Sequence, residues 1–352
     1  MASRKTRIRT VLLRSGIGVL ALRSALSFSL FCASAQAVTG ETLAQVKSRG
    51  ALHCGVGEDS PGFASKDSTG HWTGFDVDFC RAVAAAIFGD AGKVTFIPLR
   101  ASERFPALQA RSIDLLVRQT TWTLLREEDL KVLFAGVLLY DGQGFLVPAG
   151  IKSPAQLKGS VVCVVKETTS GQNLADYSAV NALDIKALVS ESMNQALEEL
   201  FAGSCQALTS DASQLAAARL RAPGGAGAYV ILPERIAKEP LGPAVRSGDD
   251  DWFTLVRWVL FTLIGAEDAD LTRENVTHHL SDPRARQVLG TGEHFGQALG
   301  IDDDWPLWVV RSVGNYGEIF ERNLGRGSPL KIERGANRLW SQGGLMYAPP
   351  FR

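Results

Sequence analysis

From Thr42 onward the chain alternates short apolar, β-branched runs with longer stretches of helical periodicity, and it does so twice over. ALHCGVG, KVTFIPL and SIDLLV read as strands, separated by the helical GFDVDFCRAVAAAIFG and SERFPALQA. The pattern then restarts, with SVVCVV, DIKALV, CQALTS and AYVILP as strands and NLADYSAVNAL, SMNQALEELFAG and DASQLAAARL as the helices between them. A βαβαβ order predicts a largely parallel sheet covered by helices on both faces. Two such units in tandem predict two lobes. FAGVLLYDGQGFLVPAG, punctuated by Gly142, Gly144 and Pro148, predicts a strand crossing from one lobe to the other. EPLGPAVRSGDD, around Pro240 to Val245, predicts a second crossing that returns the chain to the first lobe. Two crossings between two lobes make a hinge beside a cleft.

Ahead of this pattern, residues 1–37 read as a secretory signal. Arg4, Lys5, Arg7, Arg9 and Arg14 form a basic start, Gly16 to Phe31 is largely apolar, and Ala35-Gln36-Ala37 offers a small-x-small cleavage site. Arg23 interrupts the apolar run, which argues against a membrane span there, and Arg257 does the same for WFTLVRWVLFTLIGA, expected as a packed helix. Cys32 is a poor lipidation site because Phe31 stands where a small residue is needed. An exported, periplasmic protein is the expectation. Removal of the leader takes six of the 37 basic residues and none of the 37 acidic ones, leaving a mature net charge of about −6. Mild acidity does not suit nucleic-acid binding.

The organisation expected is therefore a leader over 1–37, a first lobe from 38–143 plus 245–352 that includes a C-terminal extension, and a second lobe from 144–244. Four cysteines follow the leader: Cys54, Cys80, Cys163 and Cys205. An even number in an exported chain points to disulfides, and four cysteines allow three pairings. Cys54 with Cys80 and Cys163 with Cys205 keeps each pair within one lobe; free buried thiols are the alternative. No CxxC or HxxxH spacing accompanies them, so no metal and no cofactor is expected.

Two residues could hold a free amino acid by both charged ends. Arg126, in TTWTLLREED, carries a guanidinium fork that matches a carboxylate, and Asp211, in LTSDASQL, carries a carboxylate that accepts from an ammonium. Each follows a short apolar run and so falls near a strand end, a usual place for ligand contacts in open α/β sheets. The competing readings are an exposed charge in REED for Arg126 and a helix N-cap for Asp211.

The chain resembles the periplasmic solute-binding proteins of polar amino acid ABC transporters, and within them the broad-specificity L-amino-acid-binding proteins. The resemblance runs from about residue 45 to the C-terminus and rests on CGVGEDSPGF, WTGFDVDFCRA, ERFPALQ, TTWTLLR, FAGVLLYDGQGF, NLADY, KEPLGPAVRSGDDWF, VGNYGEIFERN and GGLMYAPPFR. It implies a two-lobed periplasmic-binding-protein fold, each lobe an α/β sandwich, joined by a two-segment hinge. It also implies a monomer that binds L-amino acids and works with inner-membrane permease subunits, without catalysis. By the same resemblance Arg126 grips the ligand carboxylate with help from Thr121, and Gln119 offers its backbone carbonyl to the ammonium held by Asp211. Thr168 and Thr169 add contacts to the carboxylate from the second lobe, and Phe63 touches the ligand side chain.

The sequence departs from that family at two of these positions. Gln119 stands where Asn is usual, and Glu167 stands where Gly is usual. A carboxylate at 167 would repel the ligand carboxylate and weaken binding of neutral amino acids, or shift preference toward ligands with an extra cationic group. The alternative is a side chain that points to solvent or pairs with Lys166. Two other classes share the scaffold: a cyclohexadienyl or arogenate dehydratase-like enzyme, for which Glu167 would be the cleft acid, and a sensory amino-acid-binding protein.

Overall fold

The computed structural model describes residues 41–225, 227–290 and 293–351, so the leader expected over 1–37 lies outside the described residues. Two sheets carry the architecture. In the first, Leu52–Gly57 lies between Val94–Leu99 and Leu115–Leu116, parallel to both. Ala244–Arg246 then joins antiparallel, between Leu115–Leu116 and Val132–Phe134. In the second, Val161–Val165 runs parallel to Lys186–Ser190 and to Ala207–Asp211. The long strand Leu139–Pro148 lies antiparallel to Ala207–Asp211 on one side and to Tyr229–Ile231 on the other.

The expectation of largely parallel sheets is thus corrected: both are mixed. A parallel neighbour needs a crossover helix, which the βαβ units supply. The strands that travel between lobes have no such crossover and enter their sheets running the other way. Leu139–Pro148 also pairs antiparallel with Ala237–Leu241, from Leu139 opposite Leu241 to Gln143 opposite Ala237. These two strands form the predicted two-segment connection. Its tightest point is Gly242, where an added Cβ would fall 2.2 Å from the carbonyl oxygen of Gly136.

Alternation along the strands of the second sheet builds two cores. Leu146, Cys163, Val165 and Leu208 face the helices Met193–Phe201 and Ala212–Arg219, while Phe145, Val147, Val162, Val164 and Ala207 face the other way, toward Leu174 of helix Ser170–Val180. The first sheet is covered by Phe75–Phe88, a helix buried almost all round. Beside it lies Asp250–Asp268, the helix foreseen in WFTLVRWVLFTLIGA. It is capped by Asp249, whose side chain accepts from Trp252 N at 3.1 Å, and Trp252 Nε1 donates to the Asp114 carbonyl at 3.0 Å. No helix among the described residues is long and apolar enough to cross a membrane.

The C-terminal extension returns to the connection. Asn337 accepts from Tyr140 N at 2.7 Å and donates to Tyr140 O at 2.9 Å, and the Tyr316 hydroxyl donates to Leu138 O. Arg334 holds the extension down through a two-pronged ion pair with Glu267, at 2.9 and 3.0 Å. The first-lobe end of the crossing strand is therefore fixed by side chains from the far end of the sequence.

Cys54 of the first sheet is bonded to Cys80 of helix Phe75–Phe88, and Cys163 of the second sheet to Cys205, with Cα atoms 6.2 and 5.8 Å apart. Each bond stays within one sheet-and-helix unit. Closing loops of 26 and 42 residues should stabilise the chain by about 3 to 4 kcal/mol each through the unfolded state. Replacing Cys163 and Cys205 together by Ala should lower the urea midpoint of oxidised protein accordingly, and reductant should then cost the variant less stability than the wild type. Equal sensitivity to reductant in both would refute a stabilising role for this bond.

Candidate functional site

Arg126 reaches the cleft because its helix starts where it does. Thr123 caps Leu124–Leu130, its side chain accepting from Arg126 N at 3.3 Å, which puts Arg126 in the first turn. The guanidinium turns back to donate from Nη1 to the Thr121 carbonyl at 2.6 Å and lies over the Phe105 ring, 5.4 Å from its centroid. Its residue exposure is 8%, which removes the reading of an exposed charge in REED. Asp211 ends strand Ala207–Asp211 and occupies the N-cap position of the following helix, yet its side chain makes no capping bond. It accepts instead from Gln214 Nε2 at 2.7 Å and is 5% exposed.

These two residues line one cavity with Gln119, Thr121, Thr168 and Thr169. Gln119 holds φ at 35°, a backbone conformation rare outside glycine. Its side chain is tied into the first lobe, where Nε2 donates to Asp76 at 2.9 Å and Oε1 accepts from Ser60 at 3.3 Å, and its main-chain N–H also serves Asp76, which leaves the carbonyl as its main-chain group for a ligand. Thr168 donates its hydroxyl to the Val165 carbonyl at 2.6 Å. It stands just ahead of helix Ser170–Val180, where the first N–H groups have no intrahelical acceptor and favour an anion.

Glu239 was not singled out in the sequence, and it organises this region. Fully buried on the returning strand, it accepts from the hydroxyls of Thr121 and Thr169 and from Asn173 Nδ2, the last two at 2.9 and 3.1 Å. The hydroxyls of Thr121 and Thr169 therefore serve an internal acid, and their carbonyls accept from Arg126 and Asn173, which leaves their main-chain N–H groups for any ligand. Asn173 also donates to Gln143 at 2.8 Å, and Gln143 donates to Thr209 at 2.9 Å, so the polar network continues into the second sheet. Burial pushes the carboxyl of Glu239 up, and it pushes that of Asp211 well above the ordinary aspartate value. Glu239 and Asp141 raise Asp211 further, while Arg104 and Arg126 oppose the shift.

Arg104 and Arg118 were also missed. Arg104 is 2% exposed and also lies over the Phe105 ring, 5.0 Å from its centroid. It donates from Nη2 to the Glu167 carbonyl at 3.0 Å, and its Nε is buried without a partner. Burial, then the neighbouring Arg126, holds it well below the usual arginine value. Nothing in SERFPALQA distinguishes a buried arginine from one on a helix surface. Arg118 lines the same cavity, anchored by a 2.8 Å bond from Nε to the Leu99 carbonyl. Among the described residues, no group of three or more His, Cys, Asp or Glu could hold a metal ion.

Two expectations are corrected here. Phe63 does not line this cavity: it is fully buried and packs edge-on against Phe75 at 6.4 Å between ring centroids, as part of the first-lobe core. The expected repulsion by Glu167 does not arise from its position either. The residue is exposed, lies outside the cavity lining, and acts on Arg104 as a favourable counter-charge. The glycine that the resemblance leads one to expect here would suit the backbone, since Glu167 sits at φ 58°.

Asp76, beneath Gln119, gives a pH test. Burial pushes its carboxyl up to about 8 from 3.8, so between those values the folded chain holds a proton that the unfolded chain releases. This group's contribution to stability therefore falls as pH rises, by at most about 1.4 kcal/mol per unit. Asp76→Asn should be less sensitive to alkalinisation than wild type when denaturant midpoints are compared at pH 5 and pH 8. A variant that loses as much stability as wild type over that interval would contradict a protonated Asp76.

Residues 52–270 match the family of bacterial extracellular solute-binding proteins, family 3. A general L-amino acid-binding periplasmic protein of Rhizobium johnstonii is 46% identical over 337 residues, which span 94% of this chain and 98% of that protein. A glutamate/glutamine/aspartate/asparagine-binding protein of Rhodobacter capsulatus is 42% identical over 93% of this chain and 98% of its own length. Among solved structures, an ABC transporter periplasmic binding protein from Brucella ovis with glutathione bound superposes with a TM-score of 0.86. It shares 46% identity and covers 88% of this chain and 99% of its own.

Proposed function

The chain belongs to the bacterial extracellular solute-binding proteins of family 3, and on that premise we propose that it binds free L-amino acids in the cleft and delivers them to an inner-membrane ABC permease. The ligand carboxylate meets Arg126 and the main-chain N–H groups around Thr121 and Thr168–Ser170; the ammonium meets Asp211 and the Gln119 carbonyl. The lobes taken to close on it are 38–143 plus 245–352 and 144–244, in a periplasmic monomer cleaved after residue 37.

One observation carries this reading: Arg126, on helix Leu124–Leu130, and Asp211, at the end of a second-sheet strand, line one cavity while neither is ion-paired to the other or to any described residue. A buried cation and a buried anion left apart suit a molecule that brings the opposite charge to each. The names of the relatives agree, since one is a general L-amino acid binder and another takes two acidic amino acids and their amides. Glutathione, held by the structural relative, also ends in a free α-amino and α-carboxyl pair. Against catalysis by Glu167 or Glu239 stand the exposure of the first and the three donors that engage the second.

Arg126→Ala should reduce amino acid affinity by about 2 to 5 kcal/mol, because a carboxylate taken into the cleft would lose its main counter-charge. Titration calorimetry with a panel of L-amino acids measures it, with circular dichroism to verify the fold. Unchanged dissociation constants in a folded variant would defeat the clamp.

A further inference from the structure

The cavity holding the clamp does not end at Asp211. A second compartment adjoins it, where Arg100 and Arg221 are joined by Glu58 and Asp59 among the lining residues, and the two share Arg118, Gln119, Val165, Met193 and Gln214. A side chain leaving a Cα atom held between Arg126 and Asp211 has this shared boundary as its route outward. Arg118 is the one charged residue on the boundary, and the clamp gives it no role.

The surroundings of Arg118 leave its guanidinium without a direct ion pair, although Asp76, Glu58 and Asp211 act on it as counter-charges at longer range. Its single hydrogen bond, from Nε to the Leu99 carbonyl, fixes the side chain without neutralising it. None of the described carboxylates lies within ion-pair distance of it, whereas Arg100, which also lines the second compartment, has Glu58 at 3.6 Å. Asp76 lies behind it, but burial keeps that carboxyl protonated up to about pH 8, and its bond partner is Gln119. Around the clamp itself, Arg104, Arg118 and Arg126 face Asp211, with Glu239 held by its three donors. A zwitterion adds no net charge to this set; a ligand with one further negative group offsets one arginine.

We propose that Arg118 reads the ligand side chain and selects amino acids that place an anionic oxygen at the boundary between the two compartments, glutamate being the plainest case. This rests on the amino acid reading above and narrows it. A guanidinium anchored at Nε still offers its remaining N–H groups, the geometry that suits a carboxylate. An apolar side chain of the same length would leave those donors dry and unpaired.

Calorimetric titration with L-glutamate and L-leucine tests this, because the two are close in length and differ in the distal group. Wild type should bind glutamate roughly tenfold or more tightly than leucine. Arg118→Met should weaken glutamate by about tenfold or more while moving leucine by less than about threefold, and Arg118→Lys should recover part of the glutamate affinity. If Arg118→Met unfolds, the Lys variant still decides, since it should keep the preference for glutamate with reduced affinity. An affinity ratio that neither substitution changes, or a parallel loss for both ligands, overturns the role of Arg118 and leaves the clamp standing. Failure of wild type to bind either ligand overturns the amino acid reading and this inference together.

Discussion

Charge held out of water without a direct partner is the constraint around which the cleft is built. Arg104, Arg126 and Asp211 are each less than a tenth exposed, and no ion pair joins them to one another or to any described group. Burying an ion is costly, and direct pairing would be the simplest relief. The fold relieves it in smaller ways. Arg126 donates to a main-chain carbonyl, Arg104 to another, both lie over the Phe105 ring, and Asp211 accepts from Gln214. Each arrangement lowers the cost without cancelling the charge, which leaves the cleft complementary to a small molecule carrying both signs.

The connection between the sheets takes part in the same chemistry. Glu239 sits on the returning strand, opposite Asp141 of the crossing strand, and receives hydroxyls from Thr121 and Thr169. The loop before Arg126 and the helix start after Thr169 are thereby gathered onto the strand pair about which the lobes would move. The C-terminal extension grips Tyr140 on that pair from the other side, through Asn337. Closure would thus pivot on a segment braced at its first-lobe end and polar at its centre.

Much of this was legible in the sequence, because it depended on local pattern. The restart of the βαβ alternation marked two sheets, and the lobe assignment alone was enough to favour the two disulfide pairings that the fold contains. Arg126 and Asp211 stood out as opposite charges at strand ends. What escaped depended on the partner rather than the residue. Phe63 follows a turn in a stretch that the family resemblance assigned to the ligand, and only the packing against Phe75 shows that it belongs to the core. Arg104, Arg118 and Glu239 carry no local sign of burial, since arginines in a helix or after a strand, and a glutamate beside a proline, are ordinary surface patterns. Glu167 misled in the opposite direction: its difference from glycine concerns a backbone at positive φ, while its exposed side chain lies outside the cavity lining.

The central claim is that the cleft needs both charges of one ligand, and single-ended analogues test it most directly. Calorimetric titration of the mature protein with L-glutamate, N-acetyl-L-glutamate and L-glutamate α-amide separates the two ends. Removing the ammonium charge leaves Asp211 unmatched, and removing the α-carboxylate leaves Arg126 unmatched. Both derivatives should therefore bind weaker than the parent by about a hundredfold or more. A derivative lacking either charge that binds as tightly as glutamate would contradict the account.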